Sequence, residues 1–205
     1  MSGFVMETSS ESLKFELMPY SISAKKELPK VGVKGDVGHF GSVNVERCPL
    51  YRPLENGMET ARLSGPAFPE TVFRGKRRSG QPSLFKAELT LDGRHAELRF
   101  NARALRKESR ALRITYEDRK YVYFSEEWGS VNVLDREGVR VSIEPGRHVP
   151  PTTTFRTGRA TGPVDAVDLA IAIVLEEVDT EILTLGGAAL SSPFALMQHF
   201  SDRAE

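Results

Sequence analysis

Residues 169–175, LAIAIVL, form a stretch of seven consecutive apolar side chains near the C-terminal end of the sequence. They lie inside residues 164–185, which contain neither glycine nor proline. Pro163 suits the first position of a helix, and Gly186 with Gly187 supplies a stop signal directly after the run. Because strands usually have about 4 to 8 residues, the length of the run predicts a helix at about 164–185, despite its β-branched side chains.

The predicted helix is apolar around most of its circumference. Its core positions are Leu169, Ile171, Ile173, Val174 and Leu175. Four acidic residues share one narrow stripe, because a helix advances roughly 100° per residue. These residues are Asp165, Asp168, Glu176 and Asp179. So wide an apolar surface must be covered on most sides, which a closed or strongly curved sheet does better than a flat one. The acidic stripe is expected to face solvent or basic side chains of the same chain.

The same run is too short and too acidic for a membrane span. A transmembrane helix needs about 20 mostly apolar residues. Residues 164–185 contain six acidic side chains and no basic one, and carboxylates near the centre of a bilayer are costly. The sequence therefore predicts no transmembrane segment.

Short segments of alternating hydrophobicity dominate residues 13–156. Three predicted hairpins turn at Asp92-Gly93, near Asp118-Arg119 and at residues 136–138. Weaker strands are predicted at residues 41–47, 59–63, 70–74 and 152–156. Regularly spaced short strands favour an antiparallel sandwich or barrel. The predicted fold class is mainly β, with an antiparallel barrel or strongly curved sheet of about ten to twelve strands packed around the hydrophobic C-terminal helix.

A glycine repeat occupies the segment GVKGDVGHFG, with glycine at every third position from 32 to 41. The spacing matches neither the dinucleotide-binding fingerprint nor a P-loop. We expect a flexible loop with several unusual φ angles, because glycine accepts them readily. The alternative is a loop that cradles a phosphate group with its backbone amides.

The chain has 205 residues, which fits one large domain or two small ones. No stretch is long and polar enough to be a clear linker, so we expect a single β-barrel-like domain at 13–205. Residues 1–12 lack the features of a secretory signal and are expected to form a disordered tail. A second, short helix is predicted at about 193–202, where Ser192 is a good N-cap and Pro193 suits the first helical position.

The order of these elements resembles the tubby C-terminal-like fold, which includes the tubby, phospholipid scramblase and LURP-one-related families. RITYEDRKYVYF, then VNVLDREGVRVSI, then DAVDLAIAIVL follow one another as they do in that group. The resemblance covers roughly residues 13–185 and is one of pattern, so no ligand residue is carried over by position. It implies a barrel of about twelve strands around a hydrophobic helix. It also implies a binding or regulatory module, sometimes for anionic lipid head groups, with no common enzymatic activity.

Basic residues are concentrated in residues 74–113, which carry twelve Lys or Arg and four Asp or Glu. The candidate ligand-binding residues are Arg74, Lys76, Arg77 and Arg78, predicted in a loop. A basic loop suits phosphate groups, because Arg offers a bidentate fork and Lys a point charge. The simpler interpretation is a solvated face that pairs with the acidic C-terminal helix. Nucleic acid is an unlikely partner, because the formal net charge is zero and no recognised binding module is visible.

Signatures of catalysis and metal binding are missing from the sequence. The four histidines, His39, His95, His148 and His199, lack zinc-ligand spacing, so neither a metal site nor a cofactor is predicted. Cys48, the only cysteine, is expected to be a small buried hydrophobe, and one cysteine favours a reducing compartment, the cytoplasm. No Gly-x-Ser-x-Gly elbow occurs. The sequence leans towards a protein that is not an enzyme.

Three functions follow as hypotheses. The leading one is a non-enzymatic interaction module, with a β-barrel as scaffold, exposed loops as contact surface and a protein as the expected partner. The first alternative is peripheral binding of an anionic lipid or phosphate ligand through residues 74–78. The second alternative is a structural subunit of a larger assembly, or a small-molecule carrier or enzyme with a cavity inside the barrel.

Overall fold

The computed structural model describes residues 12–22, 29–47, 57–78, 80–101, 111–126, 131–149 and 153–184. These residues form thirteen β-strands and one α-helix, named here in chain order. The strands are β1 (Leu13–Ile22), β2 (Lys30–Asp36), β3 (Ser42–Arg47), β4 (Met58–Ser64), β5 (Thr71–Arg78), β6 (Gln81–Pro82), β7 (Glu88–Leu91), β8 (Arg94–Arg99), β9 (Leu112–Tyr116), β10 (Arg119–Glu126), β11 (Val131–Arg136), β12 (Val139–Val149) and β13 (Thr153–Thr161). The helix is α1 (Ala166–Val174).

Twelve of the strands close into an antiparallel barrel. The sheet runs in the order β4-β3-β2-β1-β13-β12-β11-β10-β9-β8-β7-β5-β6, and an additional pairing of β4 with β5 closes the ring. The two-residue β6 extends from β5 and lies outside the ring. Closure leaves no open sheet edge along the ring. The predicted fold class, a mainly β antiparallel barrel around a C-terminal helix, is confirmed.

The three predicted hairpins are present. β7 and β8 are joined through Asp92 and Gly93, which both have positive φ. β9 pairs with β10 next to Glu117, and β11 pairs with β12 next to Gly138, and both of these residues also have positive φ. Alternation and short turn signals therefore predicted this part of the ring correctly.

The first half of the glycine repeat is a strand, so the prediction of a flexible loop was wrong there, whereas Gly38 and Gly41 after the strand have the unusual positive φ angles that were expected. Its first part forms β2, and a single 3-10 turn follows at Gly38–Phe40. Gly32 and Gly35 sit where neighbouring strands come close, because a Cβ there would lie 1.8 Å from the Val45 carbonyl oxygen and 2.0 Å from that of Glu16. Glycine at these positions permits close contact between strands.

The C-terminal helix is shorter than predicted at both ends. Its N-cap is Asp165, and a 3-10 turn at Leu175–Glu177 continues α1 before the chain becomes extended at Val178. The chain leaves the helix because the Asp179 backbone N–H donates to the Pro82 carbonyl at 2.8 Å, in a strand-like contact with β6. A tertiary contact thus overrides the helical preference of the run.

Helix α1 occupies the interior of the barrel. All of its residues from position 168 onwards are buried, as is Leu175 in the 3-10 turn that follows, so every predicted core position is buried. Inward-facing side chains of the ring, among them Leu17, Phe73, Ile114 and Tyr123, belong to the same hydrophobic core. The helix therefore fills the space that a carrier or enzyme would need as an internal cavity.

Several predicted segments lie outside the described residues. They include the tail at 1–11, Cys48 and the second helix at 193–202. The proposed extent of a single domain, 13–205, stays a prediction. None of the described helices has the length and apolarity that crossing a bilayer requires.

Candidate functional site

The four basic residues predicted as an anion site lie on β5 and not in a loop, so that part of the prediction was wrong. The structure divides them into two pairs. Arg74 and Lys76 alternate with the buried Phe73 and Gly75, which places both cations on the outer face of the barrel. Both are exposed. Arg77 and Arg78, at the end of the strand, reach carboxylates of the protein itself.

Arg77 and Arg78 balance buried negative charge. Arg77 Nε lies 3.6 Å from Glu59 Oε2, and Arg78 Nε lies 3.5 Å from Asp179 Oδ2. Glu59 and Asp179 are 1% and 6% exposed, respectively. A buried carboxylate without a cation is costly, so these two arginines are needed inside the protein. Among the described residues, the predicted basic region contacts the acidic C-terminal segment only at positions after α1, through Arg78.

The structure adds two neighbours to Arg74 and Lys76, and we call the four residues the Phe85 patch: Arg74, Lys76, Phe85 and Lys86. The Lys76 backbone N–H donates to the Phe85 carbonyl at 2.9 Å, which holds the two segments side by side. Phe85 is 39% exposed, and its ring meets that of Phe100 edge-on at a centroid distance of 6.3 Å. Lys86 is exposed and has a φ of 50°.

The patch is positively charged. In the described part of the chain, none of its three cations has a carboxylate within 4.0 Å. One carboxylate lies beside it, because Glu88 on β7 is the cross-strand neighbour of Arg74 and is exposed. Counted over the described residues, three cations next to one carboxylate leave a net positive surface at an exposed aromatic ring.

Sequence reasoning missed Phe85 and Lys86, because it assigned them to the first strand of the Asp92-Gly93 hairpin. The strand begins later, at Glu88. The sequence signal that could have shown this is Pro82. Proline has no N–H to donate to a neighbouring strand, so a regular strand is not expected around it. Leu84, next to Phe85, is 2% exposed and points into the core.

The N-terminal end of α1 carries a buried ionic cluster. Asp165 caps the helix and accepts from the backbone N–H of Val167 and Asp168. Asp168 is fully buried and accepts from Arg136 Nε at 2.7 Å and from the Tyr121 hydroxyl at 3.0 Å. Burial and the neighbouring Asp168 carboxylate raise the pKa of the Tyr121 hydroxyl, which stays a donor at neutral pH.

A second ionic cluster surrounds the end of the helix. Glu177 accepts from Arg47 Nε at 2.6 Å and from Arg156 Nη1 at 3.0 Å. Glu176 accepts from the Asn132 amide at 2.9 Å and has Arg156 at 3.4 Å. The acidic stripe predicted on the helix thus meets basic and polar side chains of β5, β10, β11 and β13, which anchor the helix.

Four buried side-chain oxygens have no hydrogen-bond partner among the described residues: the hydroxyls of Tyr20 and Tyr123, Glu59 Oε1 and Asp179 Oδ2. Burial raises the pKa of Glu59 above its ordinary value, although Arg77 and Arg47 oppose this effect. Burial also raises the pKa of Tyr123, with a further contribution from Glu176.

A shallow groove of about 450 Å³ crosses the outside of β1 to β4. Its lining includes the exposed Met18 together with Lys34, Asp36, Ser42 and Asn44. The Lys34 ammonium also lies 5.8 Å from the centre of the Tyr20 ring. The groove combines one cation, one carboxylate and small polar groups on an open surface.

The described residues contain no group of three or more His, Cys, Asp or Glu side chains placed to hold a metal ion. His39 and His95 are exposed and lie on different parts of the barrel. The side chain of His148 and all of His199 lie outside the described part. No family model, no curated protein and no solved structure matches the chain.

Proposed function

We propose that the protein is a non-enzymatic binding module that presents its contact surface on the outside of a β-barrel scaffold. The observation that carries the proposal is the filled interior, where α1 and the inward side chains of the strands form one core. The ionic clusters at the two ends of the helix stabilise that arrangement. Recognition is then left to the outer wall and the rims of the barrel.

The expected partner is a protein. Specific protein interfaces are built around a few exposed aromatic or basic anchors surrounded by polar residues. The outside of the barrel offers such features at the Phe85 patch and at the groove over β1 to β4. We also propose that the protein is related to the tubby C-terminal-like group, because a closed barrel around a C-terminal helix is compatible with that fold. We further propose a cytoplasmic location, because the chain has one cysteine and a reducing compartment suits it.

The test is partner capture with four baits. One is the wild-type protein, and each of the others changes one outer surface: Lys76→Glu with Lys86→Glu, Lys34→Glu with Asp36→Lys, and Lys120→Glu with Val122→Glu. We expect the wild type to retain one partner in stoichiometric amount, and one surface variant to lose it while the other two keep it. The purified partner should rebind the purified protein with the same pattern.

Two results would contradict the proposal. One is that no partner survives purification with any bait. The other is that the purified protein turns over a small molecule, with activity that follows the protein through several separation steps. Circular dichroism of each variant checks that a lost partner does not reflect a lost fold.

A second candidate function is binding of an anionic lipid or phosphate ligand. The specific observation in its favour is that Arg74 and Lys76 are exposed and have no carboxylate within 4.0 Å in the described part of the chain. Co-sedimentation with vesicles containing phosphatidylserine should then exceed that with neutral vesicles, and Arg74→Ala with Lys76→Ala should abolish the difference. Arg77→Ala and Arg78→Ala are less suitable, because they uncover buried carboxylates.

A further inference from the structure

We infer that the Phe85 patch is the docking surface for an acidic segment of a partner protein, one that carries an apolar side chain between its carboxylates. The inference rests on the proposed function, a binding module with its contact surface on the outside of the barrel. It adds which surface is used and what chemistry the partner has. Charge complementarity and the exposed ring carry it.

The cations of the patch lie on the segment of the ring and on the strand beside it. Lys76 is joined to Phe85 by a backbone hydrogen bond of 2.9 Å, and Lys86 follows Phe85 directly. Arg74 lies two residues before Lys76 on β5, so both project from the same face of that strand. An acidic segment that covers the ring would lie next to cations of both segments, and Arg74 could bind one carboxylate with two hydrogen bonds.

The ring supplies the apolar part of the surface. Phe85 is 39% exposed, and Phe100 packs edge-on against it from the barrel side. An exposed aromatic side chain with cations on its own and the neighbouring segment has the composition of an interface hot spot, where aromatic residues and arginine are enriched. An apolar side chain of the partner would cover the ring and exclude water from the adjacent ion pairs.

The surface is held in shape before a partner arrives. The Ser83 hydroxyl donates to the Lys76 carbonyl at 2.7 Å, and the Ser83 backbone N–H donates to the same carbonyl at 2.9 Å. Ser83 is 1% exposed, so these bonds are protected from water. A segment tied to β5 in this way loses little conformational freedom on binding, which favours recognition.

A protein segment fits the patch better than a bilayer does. Membrane-docking elements bury an apolar face about 5–10 Å into the headgroup region. Phe85 is more than half covered and packs against Phe100, so its ring does not project far enough to insert into a bilayer. Glu88 also lies beside the patch, where it would oppose an extended anionic plane but could accept a hydrogen bond from a peptide.

The test uses the full chain and a fluorescent dodecapeptide of Glu and Asp with two central Leu residues. A second peptide has Ser in place of Leu. By anisotropy we expect Lys76→Glu with Lys86→Glu to weaken binding of the Leu peptide at least about tenfold, and Phe85→Ser to weaken it at least about fivefold. Phe85→Ser should change binding of the Ser peptide by less than about twofold. Salt should weaken binding of both peptides.

The matched control is Lys14→Glu with Lys120→Glu, which makes the same charge change at two exposed lysines on β1 and β10. It should retain binding within about twofold of the wild type. Equal loss in this control, or equal binding by the Lys76→Glu, Lys86→Glu variant and the wild type, would overturn the inference. So would binding of phosphatidylserine vesicles through the patch with no binding of either peptide.

Failure here is distinguishable from failure of the proposed function. If partner capture is lost with the Lys34→Glu, Asp36→Lys bait and kept with the Lys76→Glu, Lys86→Glu bait, the protein is a binding module that uses the groove, and the inference about the Phe85 patch is wrong. If no bait captures a partner, the proposed function itself fails.

Discussion

Arg136 holds Asp168 with two hydrogen bonds, from Nε to Oδ1 at 2.7 Å and from Nη2 to Oδ2 at 2.8 Å. Asp168 is fully buried on α1, and Arg136 ends β11. The paired bonds fix the rotation of the helix inside the barrel, because a bidentate contact tolerates little change in geometry. The start of the helix is therefore tied to the wall by charge as well as by packing.

Replacing Asp168 with Ala should destabilise the protein strongly. The change leaves Arg136 without its paired acceptor and removes the partner of the Tyr121 hydroxyl. Breaking a buried ion pair from one side costs about 3–5 kcal/mol. Urea denaturation followed by tryptophan fluorescence measures the free energy of unfolding. As a control, Glu117→Ala removes an exposed ion pair with Arg94 and should cost less than about 1 kcal/mol. Equal losses of unfolding free energy in the two variants would mean that the Asp168 ion pair is not shielded from water.

A charge at Ile171 should prevent stable folding. Ile171 has no exposed surface and lies at the centre of α1. Ile171→Asp would place a carboxylate in the core without a partner, at a cost above about 4 kcal/mol. Circular dichroism and gel filtration report the result. The matched change is Val122→Asp, because Val122 lies on the outer wall and is 37% exposed, and this variant should fold. A well-folded Ile171→Asp variant would contradict the enclosed position of the helix.

Glu59 should give the stability a defined dependence on pH. Burial raises its pKa in the folded state, so between the unfolded and folded pKa values the folded state binds more protons. Stability from this group is present at low pH and is lost as pH rises through the folded pKa. Glu59→Gln removes the titrating carboxyl group, so the variant does not lose stability from this site as the pH rises. The free energy of unfolding of the variant minus that of the wild type should therefore increase as the pH rises above about 4, the ordinary pKa of Glu, and a difference that does not change with pH would contradict the prediction.

Gly35 should not tolerate a side chain. A Cβ at this position would lie 2.0 Å from the carbonyl oxygen of Glu16, so the backbone of β1 or β2 would have to move. We expect Gly35→Ala to cost about 1–3 kcal/mol, as overpacking does. Thermal unfolding measures the loss. Ser42→Ala, on the exposed start of β3, should stay within about 0.5 kcal/mol of the wild type, and a Gly35→Ala variant that is equally stable would show that the two strands separate easily.

Local patterns predicted most of the ring and the enclosure of the helix. Alternation around Asp92-Gly93 specifies a hairpin without reference to the rest of the chain. The apolar circumference around Ile171 requires a cover on most sides, which a barrel provides. The strand β2 escaped prediction because its glycines are unfavourable in an isolated strand, and are favoured here only by the close approach of β1 and β3.

The charges of the candidate site could be predicted only in part. Arg74, Lys76, Arg77 and Arg78 are adjacent in the sequence, but their roles are set by partners far away in it. Asp179 reaches Arg78 only after α1 has entered the barrel. Such pairings depend on ring closure, so composition alone cannot separate a free cation from one that is already neutralised.

Nearly every neighbouring pair of strands in the ring is consecutive in the chain, and the pairing of β1 with β13 is the one long-range seam. Helix α1 follows β13 directly. Loop-closure entropy makes the seam the slow step of assembly. During synthesis, the apolar inward faces of the strands therefore stay uncovered until residue 174 has left the ribosome, because α1 supplies the centre of the core. A nascent chain of this protein is therefore most exposed to aggregation and to chaperones until α1 has been synthesised.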